Sequence, residues 1–507
     1  MKRKLYSLAL VLAMLVLGML PAYAGTTGRT DLNLATTTVL TSVDPHFSEK
    51  IADMYAFRQT YEGLFYQSEL TGEFEPRIAE SYTVSEDGLT YRFVIRDKVK
   101  FHNGDDLKVS DIIFSFKRTG ENPSVAARVS AVVSVTEIDP RTVEVVLKAP
   151  QASFMTDVCG VYILSEKVVT EQGAEFGTKA ALCGTGPYYW AQVEHASGWT
   201  LQAFPDYYRG EARIKTIHFS PIADASAGLV AFESGELDWF IAPTANWNDL
   251  VNNPNYKTEV VAANHISVIV VNPDANEALK NPLVRKAIGH AIDKEAMNLV
   301  GFEGLAFTTD YMVDPQKNSG ANFELGVVYD YNPEKSKALL AEAGYPNGVD
   351  VGAIMSWSGG YYEKMAQVLH SSLNEIGIKC ELKLIEQASV SPFLRAQDYD
   401  IATYGWSYYG DYNYMYTRWH SSQKGATYVV YDDPQFDKAR LDSLLEQGAA
   451  EMDPVKRTAI YKEYNDLFMD YATCFPCLNK VQTYVWNKDL NPVNTPNFPV
   501  IFDWSWN

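Results

Sequence analysis

The sequence predicts an α/β protein of two or more domains, and three observations carry that expectation. Apolar stripes at helical spacing stop at glycine and pass directly into alternating strands, an order that belongs to α/β architecture. The chain has 507 residues, about three times the usual domain length. Its side chains are 47% hydrophobic, enough for more than one core.

The elements follow in order. Residues 32–43 are Thr-rich and β-prone, and Asp44-Pro45 marks a turn after them. Ile51, Tyr55 and Ala56 then fall at helical spacing in a segment that reaches residue 65. Asp87-Gly88 turns into residues 90–96, where Tyr91, Phe93 and Ile95 alternate with Arg92 and Arg96, the pattern of a half-buried strand. Ser110 is placed to cap a helix through Ile112, Ile113 and Phe116. Asn281-Pro282 makes a cap and first turn, with Val284, Ile288, Ala291 and Ile292 on one face. Pro333 opens a short helix that stops at Gly344, and Met365, Val368, Leu369, Leu373 and Ile376 form a stripe ended by Gly377. An alternating strand over 378–384 follows, and another enters at Ile401.

The first residues are Met1-Lys2-Arg3-Lys4, then a mostly apolar run from Leu5 to Leu20, then Pro21-Ala22-Tyr23-Ala24. A basic start, an apolar run and an Ala-x-Ala end predict a secretory signal over 1–24, cleaved after Ala24. The run is too short for a spanning helix, and no Cys lies near the cleavage site to carry a lipid anchor. The mature protein is therefore expected to be exported and soluble in a bacterial periplasm. The full chain's formal charge of −20, which becomes −23 without Lys2, Arg3 and Lys4, repels phosphate backbones and excludes nucleic acid as a partner. Five cysteines are too few for a disulfide-built fold. Cys159 and Cys183 could close one loop. Cys474-Phe-Pro-Cys477 has redox spacing but enters a strand-like run, so a structural bridge or two buried thiols is expected there. Cys380 alternates with charges and should point inward.

Residues 400–420 concentrate aromatic side chains around one carboxylate, Asp411. Aromatic rings offer rigid contact area with polar edges, and an acid among them stays neutral or needs a cation beside it. Two readings stand: the wall of a pocket for an amine-bearing molecule, built from Trp406, Tyr408, Tyr409 and Tyr412 with Asp411, or an aromatic core segment with a solvated aspartate. Trp357-Ser358-Gly359-Gly360-Tyr361 precedes a helix, so its N–H groups could meet a ligand carboxylate or form a capping turn. Arg395 and Arg418 are candidate partners for a peptide's carboxylate, or merely solvated.

A resemblance sharpens this picture. Val43-Asp44-Pro45-His46, Tyr61-Glu62-Gly63-Leu64, Asp87-Gly88-Leu89-Thr90-Tyr91, Lys100-Phe101-His102-Asn103-Gly104, Gly184-Thr185-Gly186-Pro187-Tyr188, Val284-Arg285-Lys286-Ala287-Ile288 and Gly405-Trp406 occur in order along nearly the whole chain. The set resembles the solute-binding proteins of the bacterial peptide and nickel ABC transporter family. That resemblance implies a two-lobed periplasmic-binding-protein fold, class II and of the large peptide-binder type, with an extra subdomain inserted in lobe I. The implied map gives lobe I as 25–60, 186–262 and 483–507, the insert as 61–185 and lobe II as 263–482. It implies that ligand sits between closing lobes, that Asp411 holds a ligand ammonium, and that His46 and Phe47 reach ligand from lobe I. The implied partners are a peptide or small-molecule ligand and ABC membrane permease subunits, with the protein itself a monomer.

Other chemistry is poorly supported. Gly184-Thr185-Gly186-Pro187 lacks the Lys-Ser/Thr of a phosphate loop. The eight histidines are scattered, so neither a metal cage nor any cofactor is expected. Gly-x-Ser-x-Gly and His-Glu-x-x-His do not occur. The expected function is capture of di- or oligopeptides, or a similar amine-bearing solute, for an importer, without catalysis. The alternatives are a nickel chelate or an oligosaccharide in the same fold, or a secreted hydrolase.

Overall fold

The computed structural model describes residues 28–48, 50–179, 181–318, 320–408, 410–422 and 434–507. The predicted signal over 1–24 and Tyr409 lie outside the described residues.

Apolar side chains collect into three large clusters. The first joins Leu32, Leu34 and the helix Ile51–Thr60 to Trp199, Ile217, Trp239, Tyr484 and Trp504. The second lies between Leu64 and Ile163. There the strands Ala79–Val84, Thr90–Ile95, Thr142–Leu147 and Val132–Asp139 pair in that order as an antiparallel sheet. The helix Val109–Glu121 buries Val109, Ile112 and Phe116 against it. The third runs from Ile266 to Val481 and holds Val284, Ile288, Met365, Leu369 and Trp406. Each cluster is built from the periodic residues the sequence displays, because burial of those faces drives the folding of each unit.

Among the described residues, one eleven-stranded sheet threads through the first and third clusters. Its centre is a pair of long antiparallel strands, Tyr256–Val271 and Cys474–Asn487, in register from Tyr256↔Asn487 to Val270↔Cys474. The register shifts between Ala262 and Ile266, where a bulge bends such a ladder. The parallel strands Val349–Trp357, Ile378–Ile385 and Ile401–Ser407 lie on the side of the third cluster.

Most local expectations hold. Asn281 Oδ1 accepts from Leu283 N at 2.9 Å, and Pro282 occupies the first helical position. The helix Gly360–Glu375 ends before Gly377, whose φ of 90° suits only glycine. Two differ. The helix expected to reach residue 65 ends at Thr60, and Tyr61 is extended. Ser110 lies inside its helix, which starts at Val109; Asp111 Oδ2 accepts from Lys108 N at 2.9 Å and caps it instead.

All five cysteines are free thiols. The Cys159–Cys183 bridge is therefore corrected. Cys159 belongs to the edge of the second cluster and Cys183 to the first, where its Sγ faces Tyr61 OH at 3.8 Å. Cys474 and Cys477 are the two buried thiols of the second alternative, and Cys380 is half-buried.

Candidate functional site

A cleft of about 960 Å³ opens where the three clusters meet. The first cluster lends Arg58 and Tyr61 from the end of the helix Ile51–Thr60, with Phe498 and Phe502 near the C-terminus. The second lends Tyr66, Arg128 and, from the short helix Phe154–Cys159, Asp157. Beyond the strand Ile401–Ser407, the third lends Gly410, Asp411, Asn413 and Tyr414. The cleft therefore lies past a strand end, where open α/β sheets place ligands.

Asp411 lines this cleft, but it is not a lone acid. Arg457 Nη1 donates to Oδ2 at 2.7 Å and Arg457 Nη2 to Oδ1 at 2.6 Å, and both side chains are buried. Asn413 N also donates to Oδ1 at 2.7 Å. Arg457 reaches the site from the helix Pro454–Asp470 and is itself fixed on Gly448 O and Tyr461 OH. Burial works against its charge, but the hydrogen bonds and field of Asp411 outweigh that and hold its pKa above the ordinary value. The expectation that Asp411 waits for a ligand's cation is thus corrected: an internal guanidinium meets it in bidentate geometry.

Other cleft acids differ in how they are satisfied. Glu62 accepts from Tyr207 OH at 2.7 Å, Tyr208 OH at 3.0 Å and Thr185 Oγ1 at 3.1 Å. Burial raises its pKa against the pull of those donors. Glu69 pairs with Arg58 at 2.8 Å and accepts from Asn497 N at 2.9 Å. Asp157 accepts from Gln151 Nε2 at 2.5 Å, and burial first, then the charge of Asp411, pushes its pKa up to about 8. At neutral pH that shift favours the protonated carboxyl.

The basic side chains on the same walls are Arg58, Arg77, Arg128, Lys148, Arg209 and Lys317. Arg58 and Arg77 stand over the Tyr66 ring at 5.6 and 5.0 Å, and Arg209 over Phe502 at 4.6 Å. An acidic protein thus turns guanidinium groups and aromatic rings into its cleft. Such a wall fits a ligand that carries carboxylate as well as apolar or amine groups.

The structure scatters the remaining sequence-predicted site residues. Trp406 is buried against Trp419, its ring 5.6 Å away, and Tyr408 is buried in the third cluster. Tyr412 is buried too, its hydroxyl donating to Asn465 Oδ1 at 3.1 Å. These rings pack the core behind the cleft rather than its wall, because aromatic area is most stabilising when fully buried. Trp357 packs at a tilt against Tyr362 and Tyr361 against Phe302, away from the cleft. Glu363 takes the Gly359 N–H at 2.5 Å, so the turn before that helix is a cap. His46 is buried with Nε2 on Tyr162 O at 2.8 Å, and burial lowers its pKa to about 4. Phe47 is exposed beside Arg118, not in the cleft. Arg395 is exposed on the helix Gln387–Ala396, and Arg418 Nε donates to Tyr414 OH at 3.0 Å. Among the described residues of this stretch, Tyr414 and Tyr416 are the rings that do reach the wall.

Sequence reasoning missed Arg457, Asp157, Arg58, Arg77 and Arg128. Only Arg457 left a signal: an arginine on the buried stripe it shares with Tyr461, Tyr464 and Phe468.

Comparison with known proteins agrees with this geometry. The model of bacterial extracellular solute-binding proteins, family 5 (middle region), matches residues 73–426. The glutathione-binding protein GsiB of Escherichia coli (strain K12) is 24% identical over 478 residues, 91% of each chain. Among solved structures, HbpA2 from Haemophilus parasuis superposes with a TM-score of 0.82 at 25% identity, over 94% of this chain and 100% of that one. DppA from Helicobacter pylori in complex with the peptide STSA gives 0.75 at 23%, over 94% and 98%. NikA from Brucella suis in complex with Fe(III)-EDTA gives 0.83 at 21%, over 94% and 100%. The predicted α/β periplasmic-binding-protein fold is the fold observed. With its central 73–426 matched by the family model and its cleft set between packed clusters, the chain belongs to the bacterial extracellular solute-binding proteins, family 5.

Proposed function

We propose that this protein captures a short peptide, or a peptide-like zwitterion such as glutathione, and presents it to the membrane subunits of an ABC importer. The observation that carries the reading is the cleft itself. Its volume of about 960 Å³ and its walls of guanidinium, carboxyl and aromatic groups suit a small molecule with both charges and an apolar body. Similarity to proteins named for glutathione binding and solved with a peptide supports it.

In this reading the first and second clusters form lobe I and its insert, over the intervals 25–60, 61–185, 186–262 and 483–507, and the third forms lobe II, over 263–482. The long strands Tyr256–Val271 and Cys474–Asn487 are the hinge between them. The protein is a periplasmic monomer released by cleavage after Ala24, and it returns its ligand unchanged. No helix among the described residues is long and apolar enough to cross a membrane.

Isothermal calorimetry and thermal shift test the reading with glutathione, Ala-Ala, Ala-Ala-Ala and maltotriose. Saturable binding of a peptide, with the peptide recovered intact, is the expected result. A ligand at 100 times its Kd stabilises the folded state by about 2.7 kcal/mol. Binding of maltotriose alone would refute the peptide assignment, and hydrolysis of a bound peptide would make the protein an enzyme.

A carboxylate-rich metal chelate is the second reading, favoured by Arg58, Arg77, Arg128 and Arg209 on the wall. Nickel with two histidines, added to the same panel, decides it.

A further inference from the structure

The cleft acids are unequal in the charge they can offer a ligand. Asp411 is neutralised by Arg457 through both oxygens. Glu69 is paired with Arg58, and Glu62 is held by three hydroxyl donors. Glu446 faces His420 Nε2 at 3.3 Å. Asp157 has a single hydrogen-bond partner among the described residues, Gln151, and no cation within ion-pair distance there. It also occupies a distinctive place. The segment that carries it is docked across the cleft, with Ala152 N donating to Ala449 O at 2.9 Å and Asn413 Nδ2 to Ser153 Oγ at 3.3 Å. Gln67 Nε2 makes a parallel contact to Gly410 O at 3.2 Å. Where the second and third clusters touch, Asp157 and Asp411 face each other across one cavity.

We propose that Asp157 is the acid that receives the ammonium group of the ligand, from the wall opposite Asp411. The inference rests on the peptide reading above and specifies which residue reads the amine. With the cleft empty, burial raises the carboxyl's pKa and favours its protonated form. When an ammonium arrives, the Asp157 proton leaves to solvent and the carboxylate accepts a hydrogen bond from the ammonium, which keeps all its own protons. Ligands without a cation leave Asp157 neutral and gain nothing from it, so one side chain separates free amines from acylated ones. The groups that face it are Asp411 across the cleft, Arg128 on the 3-10 turn Ala126–Val129 packed against its helix, and Cys159 on its own helix, whose thiol burial holds protonated. The strand Phe65–Gln67, also packed there, brings Tyr66.

The test is calorimetry of the full chain with glutathione, Ala-Ala and Ala-Ala-Ala, each beside its N-acetylated form, from pH 5 to 7, where an α-ammonium stays charged. Buffers of different ionisation enthalpy read the protons released. Wild type should release about one proton per bound peptide, and its affinity should rise about tenfold per pH unit. The Asp157→Asn variant is isosteric with the neutral carboxyl. It should release none, bind with an affinity independent of pH, and lose the preference for free over acetylated amine. Peptide binding by wild type without proton release would overturn the inference and leave the peptide reading standing. So would an Asp157→Asn variant that keeps the pH slope and the amine preference. If none of these probes binds wild type, the peptide reading falls and takes this inference with it.

Discussion

Arg457 determines what Asp411 does. An ion pair with both side chains at or below 5% exposure gains little over an apolar pair of the same shape, yet removing one partner strands a buried charge at a cost of about 3–5 kcal/mol. Arg457→Met alone and Asp411→Asn alone should each destabilise the ligand-free protein strongly. The double variant should be less destabilised than the two single effects added together. Urea denaturation of the three variants measures this cycle, and strict additivity would mean that the two side chains do not act as a pair. The same residues show why the site was only partly legible. The aromatic stretch drew attention to Asp411, but its partner lies 46 positions away on a helix whose register with that loop only the fold supplies. Asp157 looked like any other of the chain's 63 acidic residues, since its peculiarity is an environment and not a neighbour in sequence.

Elements were far more legible than contacts, because periodicity is local. The strand Thr90–Ile95 buries Tyr91, Phe93 and Ile95 and turns Arg92 out, as alternation requires. The stripe Met365, Leu369 and Leu373 is wholly buried in the helix Gly360–Glu375. What periodicity could not tell was which buried rings face a cleft and which face another helix; Trp406, Tyr408 and Tyr412 have the alternation and composition of either. The strand Ile401–Ser407 shows the constraint most sharply at Gly405. A Cβ there would collide with Tyr362 OH and with the Ile266 carbonyl of the neighbouring strand, and backbone cannot retreat cheaply. Gly405→Ala should therefore cost about 1–3 kcal/mol by overpacking, read from the urea midpoint. It should also displace the Tyr362 hydroxyl from His265 Nε2, now 2.9 Å away. A variant as stable as wild type would show that the strand can shift to make room.

At the scale of the whole molecule, buried histidines tie distant segments together and set how stability responds to pH. His46 Nε2 meets Tyr162 O, His102 Nε2 meets Gly186 O at 3.0 Å, and His265 lies at the bulge of a long strand that joins the first and third clusters. Burial lowers the first two to about 4 and the third to about 3, against an ordinary 6.5. A folded-state pKa below the unfolded one means that the unfolded chain binds protons first as the solution is acidified. The stability these groups contribute is then present above pH 6.5 and lost as pH falls toward 4, by about 3 kcal/mol for a group displaced this far. Asp157 acts in the opposite sense. Its folded pKa of about 8 lies above the ordinary 3.8, so its contribution is present in acid and lost as pH climbs from 4 to 8. The ligand-free protein should consequently lose stability below pH 6, with a net uptake on unfolding approaching two protons, three taken up by the histidines and one given up by Asp157. Asp157→Asn should flatten the decline on the alkaline side and steepen the acid limb by about one proton. Urea denaturation from pH 4.5 to 8.5 on both proteins measures the two limbs separately. A wild-type curve that is flat between pH 7 and 4.5 would mean that water reaches these imidazoles in the folded state, and that the segments they join are held together by something else.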